Sequence, residues 1–327
     1  MPETYFITGA QGCIGSWIVK ALVERGDKAI VFDRSDDARR LAAIIDDEHL
    51  DQVEFIAGDI TDKAAVSSAL TKAEAGRVIH LAGLQVPTCK ADPVGGALVN
   101  VVGTLNVFEA ARVTEARGVV YASSAAVYGM NDDDTSPLDE SAQCEPGTHY
   151  GVFKRANEGN ARVYSLDHGL SSVGLRPLTV YGVNRDTGLT SDPTKAMKAA
   201  VLRRPFHIRF GGATDFQYVA DTAAAFISCA DQMPEGAHVF NLHGETVEVA
   251  SITRLINELA LNTNGDLITF SGPPIPIAPA MNDAAIRKVI GPIPATPLEV
   301  GVRETMERFS ILRDTGRLDT SDIDSEG

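Results

Sequence analysis

The sequence predicts an α/β protein: a doubly wound parallel sheet with a smaller C-terminal lobe. Two observations carry that prediction. From residue 3 to about 176, short β-branched runs alternate with stretches long enough for helices, the signature of repeated βαβ units. A glycine-rich run, Thr8-Gly9-Ala10-Gln11-Gly12-Cys13-Ile14-Gly15, follows the first strand-like segment and opens the first helical one.

The strand-like runs are Thr4–Thr8, Lys28–Phe32, Val53–Ala57, Arg77–Leu81, Gly118–Ala122 and Ser172–Arg176. In the first helical stretch Ile14, Ile18 and Leu22 fall at i, i+4 and i+8, and Gly26 supplies a stop. Right-handed crossovers between such strands give a sheet with helices on both faces. After Arg176 the pattern loosens, with a helical stretch near Lys195–Leu202. Residues 216–242 read as a return to the sheet through His238–Leu242. A helix follows with Ile252, Leu255, Ile256 and Leu259 on one face. The proline-rich residues 272–279 read as an irregular crossing. Thr296, Pro297 and Glu299 read as a capping box for a last helix. These boundaries assign 1–182 plus 214–243 to a Rossmann-type dinucleotide domain and 183–213 plus 244–312 to a substrate lobe. An acidic tail over 313–327 is expected to be disordered.

The chain has 327 residues and a formal net charge of −15. Nucleic acid is excluded as a natural partner, because phosphate-backbone binding needs clustered Lys and Arg. Cys13, Cys89, Cys144 and Cys229 are far apart without zinc or C-x-x-C spacing, so free thiols and no metal are expected. There is no signal-peptide pattern and no run of about 18 apolar residues, so no membrane partner is expected and a cytoplasmic location is.

The glycine run has a physical reading. Gly9 permits a tight turn, Gly12 a close backbone approach to a pyrophosphate, and Gly15 close helix–strand packing. The helix N-terminus at Cys13 and Ile14 offers free N–H groups to phosphate. Asp33 closes the second strand about 20 residues beyond the loop, where a carboxylate accepts from ribose hydroxyls and repels a 2′-phosphate. NAD is therefore the expected cofactor, favoured over NADP, with Arg34 the one neighbour that tempers this.

Tyr150 and Lys154 lie four apart in a helical segment and so share a face. A phenol near an ammonium and a cationic nicotinamide is expected to ionise more readily, making Tyr150 a general base toward a substrate hydroxyl. Ser124, at the end of the fifth strand, is placed to bond the same oxygen.

Six motifs occur in order: the glycine loop, Gly58-Asp59-Ile60, His80-Leu81-Ala82-Gly83, Asn100-Val-Val-Gly103-Thr104, Ser123-Ser124-Ala-Ala-Val127-Tyr128-Gly129 and Tyr150-Gly-Val-Phe-Lys154. Together with Asp215-Phe216-Gln217-Tyr218 they resemble the extended short-chain dehydrogenase/reductase family, the NAD-dependent epimerase/dehydratase group. The resemblance implies that Asp59 and Ile60 flank the adenine, and that Leu81, Ala82, Gly83 and Pro177 line the dinucleotide. It implies that Lys154 bonds the nicotinamide ribose and that Asn100 supports the active-site region, a helix cap being the other reading of Asn100. A homodimer through helices around 95–112 and 148–167 is also implied.

Nucleotide-sugar members of that family usually carry Arg before the Asp-Phe pair, where this chain has Thr214, and commonly Asn where it has Thr179. Losing a phosphate-binding arginine removes charge-assisted contacts. The sequence therefore favours net oxidation of a secondary alcohol in a small sugar, sugar acid or hydroxy acid. The alternative is a sugar or nucleotide-sugar epimerase with transient hydride transfer. A dehydratase is disfavoured by Ala125-Ala126 where an acidic pair is expected. Of the basic residues in the lobe (Arg185, Lys195, Lys198, Arg203, Arg204, Arg209), Arg185 is the candidate for holding a substrate carboxylate or phosphate. Thr179, Thr190, Ser191 and Thr214 are further polar candidates, and Tyr128 and Tyr181 aromatic ones.

Overall fold

The computed structural model describes residues 2–130, 136–260 and 267–324. Its strands are β1 Thr4–Thr8, β2 Lys28–Asp33, β3 Glu54–Ala57, β4 Arg77–His80, β5 Val119–Ala122, β6 Ser172–Arg176, β7 Thr179–Tyr181, β8 Phe206–Ile208, β9 Ala213–Tyr218, β10 Ala237–Asn241, β11 Glu245–Glu248 and β12 Ile268–Phe270. The main helices are α1 Cys13–Glu24, α2 Lys63–Ala73, α3 Gly103–Val113, α4 His149–His168, α5 Asp192–Val201, α6 Val219–Gln232, α7 Val249–Leu259 and α8 Leu298–Asp314.

Seven strands form one parallel sheet in the order β10-β6-β5-β4-β1-β2-β3. The order reverses between β1 and β4, and the strand ends beside that switch are where open α/β sheets bind ligands. β-branched and aromatic residues drive the strands: Phe6, Ile7, Ile30, Val31, Val78, Ile79, Val119 and Val120 are all buried. Residues of the two sheet faces fall into separate cores, one holding Ile18, Leu22 and Phe226, the other Val66, Val107 and Phe108.

A second sheet, β11-β9-β7, lies outside the main one and joins three segments between residues 179 and 248. The expected return to the main sheet therefore passes first through β9 in this small sheet and is completed by α6 and β10. Two further expectations are corrected. Thr296 does not cap α8: its N–H and hydroxyl both donate to Asp221, at 2.6 and 2.9 Å, and α8 begins after Pro297. Nor is the chain beyond 312 disordered as far as Asp324. α8 continues to Asp314, Ile323 is buried, and Lys198 on α5 donates to Asp322 (2.6 Å) and to the Asp319 carbonyl (2.9 Å). The ion pair and the apolar anchor hold a segment whose composition alone reads as soluble coil; residues 325–327 lie outside the described residues.

Candidate active site

One cavity of about 1310 Å3 runs along the C-terminal ends of β1, β2, β4, β5 and β6. Its floor begins at the glycine loop. Gly9 has φ +67°, and a Cβ there would fall 2.5 Å from the Ala82 nitrogen, so the loop and the segment after β4 touch backbone to backbone. α1 starts at Cys13 with no side-chain cap and no acidic residue in its first turn. Its first N–H groups are thus available to an anion, which fits a dinucleotide pyrophosphate. The Asp33 carboxylate is fixed at the cavity edge by the Gln11 N–H (3.2 Å) and the Arg34 N–H (2.8 Å). Gly9, Gly12, Cys13, Ile14, Gly15, Asp33, Arg34, Asp59, Ile60, Leu81, Ala82, Gly83, Tyr150, Lys154 and Pro177 all line the cavity.

Asn100 lies beneath that lining. The helical run 93–113 contains a π-turn at Leu98–Val102, which drives the Asn100 side chain inward. Its Nδ2 donates to the Gly96 and Leu84 carbonyls, while Oδ1 is buried with no donor. A Cβ on Gly83 would sit 2.7 Å from that oxygen and 3.5 Å from Lys154 Nζ, so a side chain at position 83 would fill the space between them and the cavity. An unsatisfied buried acceptor beside an ammonium fits a ligand that donates hydrogen bonds. Below it, His80 bridges Thr8 Oγ1 (2.6 Å) and Thr104 Oγ1 (2.9 Å). Burial first, and the Lys154 charge second, push its pKa down to about 3, so it stays neutral.

Ser124, Tyr150 and Lys154 meet at the inner end of the same cavity. Ser124 Oγ accepts from the Ala126 N–H at 3.2 Å, which leaves its proton to donate to the Tyr150 oxygen it is bonded to. Lys154 Nζ donates to the Ala122 carbonyl at 2.8 Å and stands 5.5 Å from the centre of the Tyr150 ring. Burial pulls the Lys154 pKa down to about 8. For Tyr150 the expected lowering is not what this protein shows in itself. Burial raises the phenol, and the Ser124 hydrogen bond and Arg185 only partly oppose it. The catalytic helix is held by a third residue on the same face, Glu158, buried and bonded to Ser123 Oγ (2.6 Å) and bidentately to Arg176 (2.7 and 2.8 Å).

On the lobe side the cavity is lined by Gln85, Arg185, Asp186, Gly188 and Thr190. Arg185 donates to Thr190 Oγ1 at 3.0 Å and to Gln85 Oε1 at 3.5 Å, and its Nε is buried without an acceptor. Among the described residues it has no carboxylate partner, since the adjacent Asp186 pairs with Arg40. Thr179 and Thr214, expected at the substrate, are instead buried and bonded to each other at 2.8 Å, away from the cavity lining. Ser191, Tyr128 and Tyr181 are likewise absent from it; Tyr128 bonds Asn241 and Arg176 in the core. Gln85, Asp186 and the Ser123–Glu158–Arg176 set escaped the sequence reading. Only Glu158, one further turn along the Tyr150–Lys154 face, carried a spacing signal.

The chain matches the model of the NAD dependent epimerase/dehydratase family over residues 5–243. It is 29% identical over 312 residues to the UDP-glucose 4-epimerase of Mycolicibacterium smegmatis, covering 93% of this chain and 97% of that one. It is 27% identical over 330 residues to UDP-glucuronate 4-epimerase 4 of Arabidopsis thaliana, covering 92% and 74%. Among solved structures, the UDP-glucose 4-epimerase of Thermus thermophilus in complex with NAD superposes with a TM-score of 0.79 at 26% identity, over 93% of this chain and 98% of that one. The glycine loop, the acidic end of β2 and the Ser124–Tyr150–Lys154 constellation thus stand in a chain that belongs to the NAD-dependent epimerase/dehydratase family, an enzyme of the extended short-chain dehydrogenase/reductase type that uses NAD.

Proposed function

We propose that this enzyme is a sugar epimerase acting on an anionic, nucleotide-linked sugar. The carrying observation is that Ser124, Tyr150 and Lys154 share a cavity with Arg185, whose guanidinium has only neutral partners among the described residues. The relatives named as UDP-glucose and UDP-glucuronate 4-epimerases support the same reading. NAD, which the glycine loop, Asp33 and Lys154 would hold, would supply reversible hydride chemistry at the sugar carbon. Tyr150 takes the proton of the reacting hydroxyl and gives it back, with Ser124 donating to the oxygen that carries the charge. Lys154, an ammonium below pH 8, keeps a positive charge beside the ring. Arg185 offers a planar fork to a carboxylate or phosphoryl group, which anchors the sugar.

Net oxidation of a smaller sugar acid is the second reading, favoured by Thr214, which stands where nucleotide-sugar members usually carry Arg and is buried against Thr179 away from the cavity. Incubation with UDP-glucose, UDP-galactose, UDP-glucuronate, free sugars and aldonates separates the two. Epimerisation predicts a new sugar peak by chromatography, with 340 nm absorbance never exceeding one NADH per enzyme. NADH accumulating in step with substrate consumed sinks the epimerase reading.

A further inference from the structure

The cavity has two walls that come from distant parts of the chain. One is the segment after β2, residues 34–43, with the short helix Arg39–Ala42; the other is the active-site loop, residues 183–190. Two cross-links tie them together at Arg40, and a third ties Arg40 to the glycine loop. Its guanidinium forms an ion pair with Asp186 across a sequence separation of 146 residues. The same guanidinium donates to the Gln11 carbonyl of the glycine loop at 3.2 Å. The Arg40 carbonyl in turn accepts from Asn184 Nδ2 at 3.0 Å, and that nitrogen also reaches Ser16 Oγ on α1 at 3.0 Å. Gln11 is fixed from its other end, since its carboxamide donates to the Ser35 carbonyl. The links therefore run from the glycine loop through Arg40 to the active-site loop, and none of them involves Ser124, Tyr150 or Lys154.

We propose that Arg40 and Asp186 form a clasp that gates exchange of the dinucleotide. Residues Gln11, Arg40 and Asp186 all line the cavity that begins at Asp33 and ends at Lys154. In this clasp a molecule filling that length leaves sideways when residues 34–43 and 183–190 part, and parting them breaks the ion pair and the hydrogen bond from Asn184 to the Arg40 carbonyl. A pair this far from full exposure, with side chains 35% and 24% accessible, is less screened than a surface pair. The purpose fits a reaction that returns its hydride: a cofactor that is oxidised again within each turnover has no need to leave.

A gate and a direct contact have different kinetic signatures. A gate that is closed with and without cofactor slows entry and exit alike and leaves the dissociation constant nearly unchanged. Trp17, the one tryptophan in the chain, donates to the Val183 carbonyl at the base of the loop (3.0 Å) and reports on it by fluorescence. The experiment is stopped-flow binding of NAD+ to the full-length enzyme, with release followed by chasing labelled NAD+, no sugar being present. Arg40→Gln and Asp186→Asn are each expected to speed both steps roughly tenfold, with the dissociation constant changing by less than about threefold. The double variant should match the singles, because both remove one interaction. The charge-reversed pair Arg40→Asp/Asp186→Arg should restore slow exchange in part. Unchanged rates overturn the clasp, as do effects that add, or a weaker dissociation constant without faster entry. The two single variants are independent probes, and thermal unfolding by circular dichroism identifies which is folded. Because no sugar is used, the outcome is separate from whether the enzyme is an epimerase.

Discussion

At the scale of single residues, the site is poised by burial against hydrogen bonding. Lys154 is buried and lies near pH 8 rather than at its ordinary 10.5, because desolvation disfavours the ammonium. The sign for stability follows. Between about pH 8 and 10.5 the unfolded chain binds the lysine proton and the folded protein does not, so folding is favoured as pH rises through that window. Below pH 8 the full penalty of the buried ammonium applies, on the order of 3 kcal/mol. Lys154→Met without cofactor is thus expected to be more stable than the parent at pH 7.5, with the difference shrinking toward pH 10. Urea unfolding at the two pH values checks this, and a difference that stays constant with pH refutes it. That Tyr150, Lys154 and Ser124 meet was legible in the sequence, because spacing on a helix and position at a strand end fix which side chains come together. The direction of the Tyr150 shift was not. It depends on how much of the ring is desolvated, which no local pattern encodes.

At the scale of elements, α4 shows how a catalytic helix is held in register. Tyr150, Lys154 and Glu158 recur at four-residue spacing, and each is tied to the strand ends beneath: to Ser124, to the Ala122 carbonyl and to Ser123 with Arg176. Burial pushes the Glu158 carboxyl up, yet Arg176 and Ser123 together hold it below the usual carboxylate range, so the pair is charged. Removing one partner strands a buried charge. Arg176→Met is expected to cost about 3 kcal/mol, with Arg155 at 2.9 Å from Glu158 softening the loss. The double variant Arg176→Met/Glu158→Leu should lose less than the sum of the two single changes. Denaturant midpoints of the four proteins form the cycle, and strict additivity would show the pair does not brace the helix. This brace was hidden from the sequence because Glu158 reads as solvent-facing until β6 is known to pass under it. The main-sheet strands, by contrast, were placed nearly to the residue, since a buried parallel sheet demands continuous β-branched runs. Their irregular neighbours β7, β9 and β11 were not, because three- to six-residue strands from separate segments carry no periodicity of their own.

At the scale of the whole molecule, the sheet buries its apolar residues well, yet one apolar surface is left over. The helical run Pro93–Val113 has a mean hydropathy of 1.4 and is half buried against the sheet. On its outer side Val94 (72% exposed), Leu98 and Val102 recur every four residues. The neighbouring α4 also exposes Val152, Val163 and Leu166 (69% exposed). Exposed apolar residues recurring on two packed helices are unusual for a monomer. A second copy is the occupant that suits it: a two-fold axis brings the strip against itself, and identical apolar patches are self-complementary where identical charged ones repel. Such a dimer would also stiffen the two helices that carry Asn100, Tyr150 and Lys154. The protein is expected to run at twice its chain mass in multi-angle light scattering at micromolar concentration. Leu98→Arg with Leu166→Arg is expected to halve that mass, because a buried unpaired guanidinium costs several kcal/mol on each side of the axis. The variant should keep its circular dichroism spectrum, since both positions are exposed in the single chain. A parent protein that is monomeric at that concentration, or a dimer indifferent to both arginines, places the association surface elsewhere.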